Sequence, residues 1–198
     1  MKLYYSPGAC SLSPHIVARE AGLKLDLEKV DLGTGRTESG KALADITPKG
    51  YVPTLELDDG SHLTEGAVIV QYLADQAPSS GLLPQGGLAR YRVQEWLNYI
   101  ATEVHKGFSP LFASDSAEVK KFATDALQPK FAFLEEALRG KQHLLGDAFT
   151  VADAYLFTTL SWAGYLKIPL PTSLGDYLGR VGARPAVQAA LKAEGLKA

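Results

Sequence analysis

The stretch "GYVPTLELDDGSHLTEGAVIVQYLADQ", residues 50–76, decides the fold of the first half of the chain. Leu55 and Leu57 alternate with polar residues, which is the pattern of a half-buried β-strand. The turn residues "DDGS" at 58–61 predict that this strand folds back as a hairpin. The remainder, "GAVIVQYLADQ", predicts a helix. The order strand, strand, helix is typical of a small mixed sheet with helices packed on it.

The residues before this stretch predict a β-α-β unit. "KLYYS" at 2–6 is a short β-prone run that ends at a Pro-Gly pair. Apolar residues between 16 and 21 predict a helix that stops at Gly22. "LDLEKVDL" at 25–32 alternates again and predicts a second strand. The first half should therefore be an α/β domain.

The residues after residue 76 predict an all-helical second half. "APSSGLLPQGG" at 77–87 is rich in Pro, Gly and Ser and is typical of a linker. Helical spacing then recurs in "RVQEWLNYIATEV" (92–104), "VKKFATDALQPKFAFLEEALRG" (119–140), "FTVADAYLFTTLSWAGYL" (149–166) and "ARPAVQAALKAEGL" (183–196). We expect an α/β domain over 1–80 and an all-α helical bundle over 87–198.

Two details of the helical half can be predicted locally. Pro129 should bend or interrupt its helix, because proline removes a backbone donor and clashes with the preceding turn. Thr150, with Asp153 three residues later, is a capping-box-like start for a helix that is apolar nearly all round. Such a helix belongs at the centre of a bundle.

Composition excludes several classes of function. The 198 residues carry a formal net charge of −2, which gives no reason to expect a nucleic-acid or anionic-membrane partner. The N-terminus does not resemble a signal peptide, and no apolar run approaches the ~20 residues of a membrane helix. One cysteine excludes a disulfide framework, and the 4 histidines lack metal-site spacing, so we expect no metal. A cytoplasmic location is the simplest interpretation.

Cys10 is the only cysteine, and it lies where a Gly-containing turn meets a helix N-terminus. Backbone N–H groups and the helix dipole there favour a thiolate, so the pKa of Cys10 should fall. Ser11 and Ser13 add hydroxyl donors, or they cap the helix. The alternative is that Cys10 is a small packing residue. The sequence C-x-x-S disfavours a dithiol oxidoreductase but still allows pairing with an external thiol.

Two further stretches can hold a ligand. If the Val52-Pro53 bond is cis, the Val52 backbone turns outward and can pair with an extended peptide; a trans bond is about as likely from sequence. Glu65 and Gly66 lie at a helix N-terminus, where free N–H groups can hold a carboxylate and Glu65 an ammonium. Simple capping by Glu65 is the alternative.

One helix after the linker carries a polar stripe apart from its apolar stripe. Asn98, Thr102 and His105 lie at helical spacing on this face. His105 can exchange a proton with a thiol near neutral pH, although a histidine at such a position is more often simply exposed.

In order and combination these stretches resemble the cytosolic glutathione S-transferases, most closely their bacterial beta class. The resemblance spans essentially all 198 residues. It depends on "MKLYYSPGACSLSPHIVAREAG", "TPKGYVPTLELDDGSHLTEGAVIVQYLAD", "EWLNYIATEVHKGFSPLF" and "FTVADAYLF". It implies a thioredoxin-like N-terminal domain, an all-α C-terminal domain, a homodimer, and a detoxifying transferase that uses glutathione as co-substrate.

The resemblance also implies site residues. Cys10 matches the cysteine that contacts the glutathione sulfur and can form a mixed disulfide with it. Val52 and cis-Pro53 match the pair whose first residue binds the peptide backbone, and Glu65 and Gly66 match the pair that holds the γ-glutamyl end. The residues implied in the helical domain are Asn98 and His105, which reach the thiol, and Glu103, which approaches glutathione from across the dimer interface.

Two positions depart from the pattern of the family. Gly66 stands where many relatives have Ser, so a hydroxyl contact is lost while the backbone N–H remains. Gly35 stands where the class often has a lysine for the glycine carboxylate. The neighbouring Arg36 is the candidate substitute. Without it, glutathione should bind less tightly, because a charge-assisted contact is missing.

The resemblance leaves three functions to distinguish. In the first, the thiolate of glutathione attacks an electrophilic carbon, with Ser11 and His105 steadying it and Cys10 in a supporting role. In the second, the protein is a glutathione-dependent disulfide or dehydroascorbate reductase with Cys10 as nucleophile. In the third, it is a non-enzymatic binding protein on the same fold. The hydrophobic co-substrate should lie between the domains, against Phe108, Phe112, Trp162 and Tyr165.

Overall fold

The computed structural model describes residues 1–196. Its first part is a mixed sheet in the order β3-β2-β1-β4-β5, in which β1 and β2 are parallel and the other neighbours antiparallel. The elements of this part are β1 (Lys2–Tyr5), α1 (Leu12–Glu20), β2 (Asp26–Asp31), β3 (Arg36–Thr37), α2 (Leu43–Ile46), β4 (Thr54–Glu56), β5 (His62–Thr64) and α3 (Gly66–Asp75). The predicted α/β class is confirmed.

The hairpin predicted from residues 50–76 is present as β4 and β5. Leu55 pairs with Leu63 across the two strands, and Leu55 is completely buried. Alternation in the sequence therefore corresponds to one core face and one outer face. The sequence did not predict β3 or α2, because two and four residues are too short to show a period.

The second part is all-helical, as expected. After a 3₁₀ turn at Pro78–Ser80 its helices are α4 (Gly87–Tyr99), α5 (Lys106–Ala113), α6 (Ala117–Leu138), α7 (Val151–Tyr165), α8 (Thr172–Gly182) and α9 (Pro185–Ala193). Pro129 does not interrupt α6, so that part of the expectation is wrong. Leu127 and Phe131, on either side of the proline, are fully buried, and this packing holds the helix together.

A π-helical segment, Ile100–His105, joins α4 to α5. Wider π turns shift the faces of the residues that follow them, and they are frequent at functional sites. His105 is the last residue of this segment and lies on the side of the helix that faces α7, where its ring meets Tyr155. The π segment thus decides where His105 lies.

Helix α7 is the centre of the molecule. Its N-terminus has the predicted capping box, since the Asp153 carboxylate accepts from the Thr150 backbone N–H at 2.9 Å. One apolar core, which includes Leu3 of β1, Ile16 of α1 and Leu156 of α7, continues through both parts. The division into domains 1–80 and 87–198 therefore stays a prediction, and its limit at residue 198 lies outside the described residues.

Candidate functional site

Cys10 lies in the loop between β1 and α1, opposite the start of β4. The Val52-Pro53 bond is cis. The Cys10 Sγ lies 3.3 Å from the Val52 carbonyl oxygen and donates a hydrogen bond to it. The loop and the β4 entry therefore form the two walls of one site.

The Cys10 thiol is neutral in this arrangement. Burial raises its pKa to about 11, against the opposing effects of the Cys10 and Ser11 backbone N–H groups and the Lys106 charge. The expected fall in pKa is wrong. Desolvation penalises the thiolate, and the Val52 carbonyl can pair only with the protonated form. The helix N-terminus does not outweigh these two effects.

This pKa predicts slow alkylation of Cys10 in the ligand-free protein. Only the thiolate reacts, so the rate with iodoacetamide should rise about tenfold per pH unit above pH 7. The rise should continue toward the pKa of about 11. Mass spectrometry can follow the reaction, because the chain has one cysteine. Free glutathione is the control, and a Cys10 rate that levels off below pH 8 would contradict the prediction.

The helical part holds the Cys10 loop through Gly8. The Gly8 N–H donates to the Glu194 carboxylate at 2.9 Å, and its carbonyl accepts from the Trp162 indole at 2.8 Å. Glu194 is itself fixed by buried His15, at 2.8 Å. Gly8 has φ +71°, a conformation that favours glycine. The position of the loop therefore depends on contacts between the two parts.

The Ser11 hydroxyl is not free to donate to a bound thiolate. Ser11 is fully buried, and its hydroxyl donates to the Ser6 carbonyl at 3.2 Å and accepts from the Ser6 N–H at 3.1 Å. Its hydroxyl is thus used within the loop, so the catalytic role expected of Ser11 stays a prediction that depends on its backbone N–H. Ser13 likewise donates to the Cys10 carbonyl, at 2.9 Å. Both hydroxyls bond within the turn, and the Ser11 side chain makes no capping hydrogen bond to α1.

Glu65 stands immediately before α3 in an unusual backbone conformation, with φ 70°. Its carboxylate accepts hydrogen bonds from Lys49 and from the Tyr51 hydroxyl, and these hold the pKa of Glu65 below its usual range. It is ionised at neutral pH and half exposed, so it can hold a ligand ammonium. A Cβ at Gly66 would meet Pro53 at 3.6 Å, an ordinary contact, so there is room for the serine of relatives.

His105 is partly buried rather than exposed. Its Nδ1 lies 2.7 Å from the Tyr155 hydroxyl, and its ring packs edge-on against Trp162 at 4.9 Å. Burial, followed by the charge of Lys106, lowers the pKa of His105 to about 4. The ring is therefore neutral at pH 7. It can donate or accept one hydrogen bond in the site, but it is not a cation there.

A cavity of about 590 Å³ opens between the two parts, and Cys10 and His105 are among its lining residues. Its other lining residues are Gly8, Ala9, Leu12, Leu32, Ser109, Phe112, Ser161, Trp162, Tyr165, Leu191 and Leu196. Within residues 1–196, no Asp, Glu, Lys or Arg is among them. The cavity thus combines the Cys10 thiol and the His105 ring with an aromatic and aliphatic wall, which suits an uncharged apolar ligand.

The described residues offer neither a metal site nor a membrane-spanning helix. Among the described residues, no group of three or more His, Cys, Asp and Glu side chains is placed to hold a metal ion. Across the same residues, the helices are all too short or too polar to cross a bilayer.

Family models match both parts of the chain. The model of the glutathione S-transferase N-terminal domain matches residues 8–76, and that of the C-terminal domain matches residues 89–193. The chain belongs to the glutathione S-transferase family. GstA of Escherichia coli O157:H7, a glutathione S-transferase, is 50% identical over 201 residues, covering 100% of both chains.

Solved glutathione S-transferases have the same fold as this transferase. A sphingomonad enzyme complexed with glutathione is 47% identical, with TM-score 0.94 and 100% coverage of both chains. The beta class enzyme of Sphingomonas chungbukensis is 45% identical, with the same TM-score of 0.94 and 100% coverage. The thioredoxin-like domain, the helical domain and the likeness to the beta class are therefore confirmed.

Several family positions of the transferase lie away from the cavity. Arg36 lines a separate cavity with Tyr4 and Glu56, and its guanidinium bonds the Gly40 carbonyl at 2.9 Å. Its role as a substitute for the lysine missing at Gly35 stays a prediction, and it would require the guanidinium to leave the Gly40 carbonyl. Phe108 is fully buried behind Trp162, ring to ring at 5.6 Å, so we correct its place as a lining residue.

Asn98 and Glu103 do not line the cavity of their own chain. Asn98 is exposed on α4, and the Glu103 carboxylate pairs with Lys130 at 2.7 Å. The contact of Asn98 with the thiol stays a prediction, and so does the contact of Glu103 with glutathione, which depends on a second subunit.

Sequence reasoning missed several residues of the glutathione S-transferase site. They are Lys49, Tyr51, Tyr155 and Glu194. A tyrosine in the nearly apolar α7 was a signal for Tyr155, because a buried phenol needs a partner. Glu194 gave none, since its partners lie near the other end of the chain.

Proposed function

We propose that the transferase conjugates glutathione at the Cys10 end of the cavity, with an uncharged aromatic electrophile against the apolar wall. The observation that carries this proposal is that Cys10 and neutral His105 line one apolar cavity, while the Cys10 thiol bonds the Val52 carbonyl beside the cis Val52-Pro53 bond. Glutathione is an extended peptide with charged ends, which this end can bind. The remaining space is apolar, which favours a flat hydrophobic co-substrate.

Glutathione binding follows from the groups around Cys10. The Val52 backbone pairs with the cysteinyl backbone of glutathione, as expected of a residue beside a cis proline at a strand entry. The Gly66 N–H, at the first turn of α3, binds the γ-glutamyl carboxylate, and Glu65 binds its ammonium. Gly35 offers the glycine carboxylate no charge, and Arg36 faces another cavity, so we expect weaker binding than in relatives with lysine.

The chemical step is a nucleophilic displacement or addition by glutathione. Its thiol loses a proton to solvent, the sulfur forms a bond to the electrophilic carbon, and for an aryl halide the halide leaves with the bonding electron pair. Neutral His105 and the backbone N–H groups of Cys10 and Ser11 donate hydrogen bonds to the developing thiolate. Lys106 adds positive charge nearby, as its effects on Cys10 and His105 show.

Cys10 supports this reaction without being its nucleophile. Its raised pKa leaves little thiolate at pH 7, which argues against a reductase in which Cys10 attacks first. The neutral thiol, released from Val52, can donate a hydrogen bond to the glutathione sulfur. Exchange with an oxidised glutathione sulfur remains a second, slower reaction.

The Cys10→Ala variant tests this role. We expect it to keep conjugation of an aryl halide within about tenfold of the natural rate, the value of one neutral hydrogen bond. Disulfide exchange should disappear. The assays are the absorbance of the aryl conjugate and the turnover of a glutathione mixed disulfide. Complete loss of conjugation would contradict the supporting role and favour the reductase.

A homodimer, a cytoplasmic location and a role in detoxification complete the proposal. Glu103, the position that the resemblance assigns to the dimer interface, lies outside the cavity of its own chain, which supports contact with the glutathione of a second subunit. Sedimentation of the natural protein and of the Glu103→Lys variant tests whether the protein is a dimer. The KM values of the two proteins for glutathione test whether the site is shared between subunits.

A further inference from the structure

We infer that Tyr155 is a positioning residue for glutathione conjugation: its hydroxyl donates to His105 Nδ1 and thereby leaves the proton on Nε2, available to the thiolate. This inference depends on the proposed role of His105 as a donor. The carrying observation is the 2.7 Å contact between the Tyr155 hydroxyl and His105 Nδ1.

The direction of the hydrogen bond follows from the burial of Tyr155. Its side chain is 3% exposed, and within residues 1–196 His105 Nδ1 is the only hydrogen-bond partner of its hydroxyl. If Nδ1 carried the proton and donated it, the phenol proton would have no acceptor within residues 1–196, and a buried donor without an acceptor costs more than a lost surface contact. Donation from Tyr155 satisfies both groups.

The charge states agree with this direction. Burial, with smaller effects of Cys10 and Glu65, raises the pKa of Tyr155, so the phenol keeps its proton. The pKa of His105 is lowered to about 4, mainly by burial and then by Lys106, so its ring carries one N–H. With Nδ1 accepting, that N–H is at Nε2. A neutral ring in this tautomer is a hydrogen-bond donor at any pH at which the enzyme works.

The surrounding structure holds the His105 ring in the position from which Nε2 can donate to the thiolate. His105 ends the π-helical segment, Tyr155 lies on the central helix α7, and Trp162, one side of the cavity, packs against the ring at 4.9 Å. Two helices and an aromatic wall therefore set the position of the ring, while Tyr155 sets its tautomer. Rotation of the ring by half a turn would break the bond to Tyr155.

The test combines nitrogen NMR of histidine-labelled protein with a titration of bound glutathione. The chain has 4 histidines, so the ring signals can be assigned with a His105→Asn variant. In the natural protein we expect Nδ1 of His105 bare and Nε2 protonated. Tyr155→Phe should mix the tautomers, raise the pKa of bound glutathione by about one unit, and lower kcat/KM about tenfold at pH 6.5 with KM nearly unchanged.

Tyr177→Phe is the matched control. This tyrosine is fully buried and donates to the Asp153 carboxylate at 3.0 Å, away from the site. It should lower thermal stability but leave the His105 signals and the glutathione pKa unchanged. A defect that merely follows lost stability would therefore appear in both variants, and that result would overturn the inference.

Three outcomes separate the inference from the proposed function. A protonated Nδ1 in the natural protein, or unchanged tautomers in Tyr155→Phe, overturns the role of Tyr155 and leaves the role of His105 standing. The protonation of Nδ1 is measured on the natural protein, so this outcome does not depend on whether a variant folds. Mixed tautomers with an unchanged glutathione pKa overturn the donation by His105, and the function of Tyr155 with it.

Discussion

Asp153→Ala should lower the free energy of unfolding by about 4 kcal/mol, since it leaves several buried donors without a partner. The Asp153 carboxylate is fully buried and accepts from the Leu144 N–H at 2.9 Å, the Thr150 N–H at 2.9 Å and the Tyr177 hydroxyl at 3.0 Å. It thus joins the α7 cap, the loop before it and α8. Urea unfolding followed by circular dichroism measures the loss.

Asp125→Ala is the control for this prediction. Asp125 lies on the surface of α6 and pairs with Lys121 one turn away. Removing it should change stability by less than about 0.5 kcal/mol. If Asp153→Ala were equally mild, the buried cap would not be the structural centre of the helical domain.

Glu65→Gln should weaken glutathione binding about 30-fold, corresponding to about 2 kcal/mol for loss of one partner of a charged pair. The pKa of Glu65 is held low by Lys49 and Tyr51, so the carboxylate is charged throughout the working range of pH. Glutamine keeps the size and the acceptor oxygen but not the charge. Isothermal titration with glutathione gives the dissociation constant.

Removal of a carboxylate far from the site is the control for Glu65→Gln, because it changes the net charge without touching the glutathione contacts. Glu118→Gln removes an exposed carboxylate in the first turn of α6, away from the site. It should leave the affinity for glutathione within about twofold. Des-amino glutathione provides a second check, because it lacks the ammonium and should bind Glu65→Gln and the natural protein equally. Undiminished glutathione binding by Glu65→Gln would place the γ-glutamyl end elsewhere.

The fold could be predicted where apolar spacing and turn chemistry agree. The hairpin β4-β5, helix α3 and central helix α7 show both signals. Helix α8 was missed because Gly175, Gly179 and Gly182 dilute its pattern, although Leu174, Tyr177 and Val181 are buried at helical spacing. The π segment was missed for another reason: one inserted residue barely alters the apolar spacing of α4.

The site could be predicted less completely than the fold. Resemblance placed Cys10, Val52 and His105 together, and the structure brings Cys10 against Val52 and into one cavity with His105. Local rules failed for the pKa of Cys10, because burial depends on residues distant in sequence. The same is true of Gly8, whose partners Trp162 and Glu194 are more than 150 residues away. Patterns among residues that are close in sequence cannot reveal such contacts.

We propose that the nucleophile is the glutathione thiolate, stabilised by His105 and the backbone of the Cys10 loop. The direct test is the pKa of glutathione bound to Cys10→Ala, from thiolate absorbance against pH. We expect this pKa to fall at least about one unit below the ordinary thiol value near 8.5. The natural protein should show a similar fall. A value equal to that of free glutathione in Cys10→Ala would contradict the account and make Cys10 indispensable.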